Sequence, residues 1–229
     1  MSDTLSVMLF VVFPYVAVVL ALVVGIVRWR VKPFSVSSLS SQLLESRKLF
    51  WGSIPFHWGI LLILAGHLFV LFLPSTVAWW DGVPIRLYAL EITGLALALW
   101  AGFGITVLLY RRITTPKIRV VTTTMDYVVL AVLLLQVLTG IWVAVMLRFG
   151  TFWAVGVVVP YMWSLITLRP KPELIQPYPI AIQSHIVMFW VFLAVFPFSR
   201  LVHIFTWPLG YFFKPWQKVV DVRKPTRVS

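Results

Sequence analysis

The sequence predicts an all-α membrane protein, a bundle of five transmembrane helices. Composition, the length of the apolar runs and the placement of charge carry that prediction. The 229-residue chain is 61% hydrophobic and only 11% charged, whereas a soluble domain carries about 25% charged residues. Its mean hydropathy is +0.97. Long apolar runs imply spanning helices, because lipid offers no partner for a free backbone N–H or C=O. The net charge of +12 sits in cations between the apolar runs. That is a membrane topology signal rather than a nucleic-acid-binding face, so nucleic acid is not an expected partner.

A spanning helix takes about 20 apolar residues. Helix one is expected near 5–27, with Pro14 as a potential kink. It has no basic stretch ahead of it and exceeds the apolar core of a cleavable signal. Helix two is expected near 54–73, with Pro55 in its first turn and Pro74 closing it. Helix three follows near 87–110, and helix four near 126–147 with Thr124 or Asp126 as N-cap. Helix five is expected near 180–206. The apolar stretch 152–168 is short and contains Pro160, and Trp153, Tyr161 and Trp163 suit a membrane–water boundary. It reads as an interfacial or re-entrant piece of an outer connection, 148–179, rather than a sixth span. The Ser-rich loop Ser35–Ser46 reads equally as a surface helix or a solvated linker.

Charge bias sets the orientation. Arg28, Arg30, Lys32, Arg47 and Lys48 follow helix one, and Arg111, Arg112, Lys117 and Arg119 follow helix three. Lys214, Lys218, Arg223, Lys224 and Arg227 lie in the tail 207–229. The opposite side carries Arg86, Arg148, Arg169 and Lys171. The N-terminus is therefore expected outside and the tail in the cytoplasm, in a multi-pass protein of the plasma (inner) membrane.

All four histidines fall in predicted spans: His57 and His67 in helix two, His185 and His203 in helix five. Ionisable groups at membrane depth are costly and usually face the bundle interior. A lone one is often a hydrogen-bonded packing residue, but two pairs on two helices point to ligation. Cysteine is absent, which excludes cysteine-ligated iron–sulfur clusters and thioether-linked haem within this chain. No carboxylate accompanies the histidines at depth, so a zinc or di-iron cage lacks parts. Paired imidazoles on opposite faces of a haem favour electron transfer. The expected cofactors are two haem b groups held between helices two and five.

Depth gives the pairing. His67 lies ten residues outward of His57, about 15 Å along the axis, while helix five runs back inward. The depth-matched pairs are His57 with His203 at the inner side and His67 with His185 at the outer side. On a straight helix His185 and His203 are about 27 Å apart, a mismatch that tilt, slanted haems or a kink at Pro197 would have to absorb. Gly59 and Gly66 either admit a flat macrocycle or serve helix packing. Arg200 either pairs with an inner haem propionate or snorkels to the headgroups. Arg111 and Arg112 are propionate candidates or simply the topology signal.

The chain resembles the gamma subunit of membrane-bound respiratory nitrate reductase, a dihaem cytochrome b. The resemblance rests on Ser41-Gln42, Phe56-His57-x-Gly59-Ile60-Leu61, Gly66-His67-x-Phe69 and Arg111-Arg112 through Pro116-x-x-Arg119. It continues in Thr122-Thr123-Thr124-x-Asp126, Gln136, and Phe196-Pro197-Phe198-Ser199-Arg200-Leu201-Val202-His203-Ile204. Residues 148–180 depart from the pattern.

The resemblance implies partners: a molybdenum catalytic subunit and an iron–sulfur subunit. It implies quinol oxidation near the outer haem, electron transfer inward to the iron–sulfur partner and proton release outside. His67, Gly66 and Arg86 are its quinol-site candidates. The chain itself should hold no nitrate-reducing site. A wire across a bilayer with a lipophilic donor fits the residues independently. Competing readings are the cytochrome b anchor of a sulfur-metabolism or nitrite-oxidising complex, a histidine-relay transporter, and a purely structural anchor.

Overall fold

The computed structural model describes residues 3–31, 47–148 and 150–202, and among these there is no strand. Five helices are long and apolar enough to cross a membrane: Thr4–Val31, Lys48–Phe72, Pro84–Thr114, Thr124–Met146 and Ile180–Phe198. They are helices one to five below. The loop Ser35–Ser46, His203 and the tail 207–229 lie outside the described residues.

Packing between neighbours runs two–three–four–five–one. Helices two and three approach closely through glycines. A Cβ on Gly59 would meet the Ala101 Cβ and the Leu97 carbonyl at 2.9 Å, and one on Gly52 would meet Leu108 at 2.8 Å. One on Gly104 would clash with the Phe56 backbone nitrogen. Gly59 is thus a helix-packing residue, one of the two roles its sequence position allows. Gly66 differs, with nothing within 4 Å of where its Cβ would stand.

Prolines shape the elements. Pro55 lies inside helix two, which starts at Arg47, and not in its first turn as the sequence suggested. The apolar run begins at Leu49, before the proline. Leu73 leaves the helical region, and Pro74 opens a short helix, Pro74–Asp81, instead of merely ending the span. In helix one a π turn, Met8–Val12, ends two residues before Pro14, and a second, Ala154–Val158, ends two residues before Pro160. Proline cannot donate to the carbonyl four residues back. For Pro14 that carbonyl belongs to Phe10, and the Tyr161 hydroxyl donates to it at 2.8 Å.

That bond also locates the connection. The apolar helix Ala154–Ile166 is shorter than the five spanning helices. Tyr15 donates to the Leu165 carbonyl at 3.1 Å, and Trp163 Nε1 donates to the Leu71 carbonyl at 3.1 Å. The segment therefore packs where helix one starts and helix two ends. Its last turn closes through bonds from Arg169 N to Ser164 O and from Leu168 N to Leu165 O. Leu168 takes the left-handed position there, at φ 57°, a place usually given to glycine.

Helix four is capped by Thr123. Its side chain accepts from Asp126 N–H while the Asp126 carboxylate accepts from Thr123 N–H. This reciprocal box displaces Thr124 and Asp126 from the cap position expected of them, because the carboxylate is placed to reach back. Helix five is α-helical only over Ile180–Val195. Pro197 then forces a tighter turn, Phe196–Phe198, and Ser199 is extended. The helix expected near 180–206 is thus interrupted at Pro197, the position where the sequence allowed a kink. The freed Pro197 and Ser199 carbonyls both accept from Arg28 Nη1, at 2.8 and 2.6 Å.

Candidate functional site

Helix two presents two imidazoles in one chemical state. His57 Nδ1 lies 2.7 Å from the Ser53 carbonyl and 3.1 Å from Ser53 Oγ. His67 Nδ1 lies 2.8 Å from the Ile63 carbonyl. A carbonyl oxygen only accepts, so each Nδ1 carries a proton and Nε2 is the nitrogen left for a ligand bond. Orientation of a ligand imidazole by a carbonyl at its other nitrogen is the common arrangement at metal centres.

His67 meets His185 of helix five, with ring centroids 6.3 Å apart and planes at 46°. An imidazole nitrogen binds a first-row metal at about 2 Å and lies about 1.1 Å from its ring centre, so two rings ligating one metal from opposite sides have centroids about 6.2 Å apart. The separation therefore fits a bis-imidazole haem. Gly66, one residue before His67, has nothing within 4 Å of where its Cβ would stand. Among the described residues no group of three or more His, Cys, Asp or Glu side chains could form a cage for a metal ion. The inner pair cannot be placed in the same way, because His203 lies outside the described residues; His57 packs edge-on against Phe56, with centroids 5.3 Å apart.

The remaining sequence candidates separate into two ends of the bundle. Arg86 stacks over Trp79 and Trp80, its guanidinium carbon 4.6 and 5.4 Å from their centroids. It also donates to the Trp79 carbonyl at 3.2 Å. At the other end, Arg112 and Arg200 share Asp126, at 3.4 and 3.6 Å. Arg111 is buried, with 2% of its surface exposed.

Sequence reasoning missed the seat of His185 on helix four. Thr139 Oγ1 is 3.1 Å from His185 Nδ1, and Gln136 Nε2 is 3.3 Å from the same nitrogen. A Cβ on Gly140 would stand 3.0 Å from His185 Cε1. These residues sit at i, i+3 and i+4, one face of a helix. That spacing is visible in the sequence, but nothing in it says which helix the face meets.

Residues 6–222 match the family model described as "Nitrate reductase gamma subunit". The chain belongs to the nitrate reductase gamma subunit family. It is 31% identical to the nitrate reductase gamma chain of Bacillus subtilis, over 87% of this chain and 91% of that one. It is 30% identical to the respiratory nitrate reductase 2 gamma chain of Escherichia coli, over 96% of this chain and 98% of that one. It is also 32% identical to the nitrate reductase-like protein NarX of Mycobacterium tuberculosis, over 94% of this chain but 34% of that one. The gamma family is the membrane-anchoring cytochrome b subunit of an oxidoreductase complex of nitrate respiration, with partner catalytic and iron–sulfur subunits. With its five apolar helices, the chain is a multi-pass inner-membrane protein.

Proposed function

We propose that this chain is the dihaem b, quinol-oxidising subunit of a respiratory nitrate reductase. It accepts electrons from quinol near the outer face, delivers them to the iron–sulfur partner at the cytoplasmic face and releases protons outside. Nitrate chemistry belongs to the molybdenum catalytic partner, not to this chain. The carrying observation is the His67–His185 pair, two rings with centroids 6.3 Å apart that join the second and fifth spanning helices.

Bound haem b would supply a one-electron redox centre at each histidine level. The protein's part is to hold and orient. The Ile63 and Ser53 carbonyls hold Nδ1 of His67 and His57, which would leave Nε2 as the ligand atom. His67 and His185 would hold the outer iron, and His57 and His203 the inner one. Gly66 leaves room for the quinol ring beside His67, and Arg86 is the cation of that neighbourhood. At the inner end Arg200, Arg111 and Arg112 supply positive charge for propionates, with Asp126 balancing part of it. The charge bias supports the orientation, with basic loops and the tail at the face where partners dock.

The test is a redox-titrated optical spectrum of the purified complex with its subunits identified, together with quinol-driven nitrate reduction. Two b-type transitions, a molybdenum partner and activity lost on removing that partner are expected. A colourless membrane subunit would overturn the reading, as would a complex with no molybdenum protein.

A further inference from the structure

We propose that Thr139 and Gln136 are positioning residues that fix the tautomer of His185 and set its strength as a ligand; this rests on the haem reading above. The hydroxyl decides the matter. Thr139 Oγ1 donates its one hydrogen to the Gln136 backbone carbonyl at 2.9 Å. Towards His185 Nδ1, 3.1 Å away, it can therefore only accept, and the proton on the ring must be on Nδ1. Nε2 is left as the ligand atom, the same state that backbone carbonyls impose on His57 and His67.

Gln136 agrees with this choice in one of its two amide orientations. Its amide nitrogen lies 3.3 Å from Nδ1 and 3.5 Å from Nε2, while its buried Oε1 has no hydrogen-bond partner. A half-turn of the amide exchanges nitrogen and oxygen. It gives Oε1 the Nδ1–H as a donor and removes a donor–donor contact. Gly140 completes the seat, since a Cβ there would press on Cε1. Helix two thus orients its histidines with carbonyls of its own backbone, whereas helix five borrows side chains from helix four.

Accepting from Nδ1–H makes the imidazole a stronger donor to the metal and favours the oxidised state. In the purified complex, Thr139→Val is expected to raise the outer haem's midpoint potential and shift its low-spin EPR signal, with the inner haem unchanged. Thr139→Ser keeps the acceptor and should restore both readouts. A Val variant with two haems and neither readout moved overturns the proposal. So does a Ser variant displaced as far as the Val one, because packing would then be the cause. Loss of the outer haem from Val but not Ser supports it, and loss from both overturns it. Fewer than two haems in the unmodified complex would instead bring down the dihaem reading beneath it.

Discussion

The two ends of this bundle are held by different chemistry. Where helix two ends and helix five starts, neutral donors from aromatic side chains do the fastening. Tyr161, Tyr15 and Trp163 each give a hydrogen to a backbone carbonyl of another segment. At the opposite end guanidinium groups take over. Arg28 caps the broken end of helix five, while Arg112 and Arg200 close on Asp126, which also anchors helix four. An excess of cations at one boundary is what the charge bias of the sequence leads one to expect, and aromatic groups suit either boundary. The contrast teaches that His185 is seated by neutral side chains, whereas the Asp126 end is built around one carboxylate.

Breaking each end should give effects of different size. The largest is expected at the histidines. Replacing His67 or His185 with Ala should abolish quinol oxidation, read as quinol-dependent turnover. Replacing His57 or His203 should spare quinol binding yet block delivery to the partner, read as inhibitor binding retained without turnover. Next is Asp126→Ala, which leaves two arginines uncompensated and removes half of a capping box. It should cost about 2 kcal/mol, read as a lower thermal midpoint, with the outer EPR signal unchanged. If that signal moved as well, the two ends would not be independent.

Two glycines sharpen the contrast further. Gly104→Ala drives a methyl into the Phe56 backbone and should cost about 1–3 kcal/mol. Gly66→Ala meets nothing within 4 Å and should leave stability within about 0.5 kcal/mol, so any loss of quinol oxidation there reports on the pocket. The smallest net effect is at Leu168, whose left-handed backbone costs about 1 kcal/mol, most of which the freer unfolded chain of a glycine variant offsets. Leu168→Gly should raise the thermal midpoint slightly without touching activity.

Much of this was legible in the sequence. Apolar run length located all five spanning helices, because lipid permits no alternative backbone. Depth arithmetic set His67 opposite His185, and their ring centroids lie 6.3 Å apart; that they ligate one iron is our proposal. The helix ends were less legible. Pro55 was read as a helix start, yet a proline inside a membrane helix is tolerated when neighbours supply the packing. Ser199 ended helix five where a continuous apolar pattern suggested more. The assumed 27 Å from His185 to His203 was therefore a straight-helix length for a chain that is α-helical only to Val195. The seat at Gln136, Thr139 and Gly140 stayed hidden because helix-to-helix adjacency is a property of the packed bundle.

In the pairing proposed here His67 and His185 serve one iron. Counting haems by pyridine haemochrome in the purified complex tests it directly, using His67→Ala, His185→Ala and the double variant. Two haems per chain are expected unmodified and one in each single variant, with one still present when both are replaced. A double variant with none would show that the two histidines ligate different haems, and the pairing would be wrong.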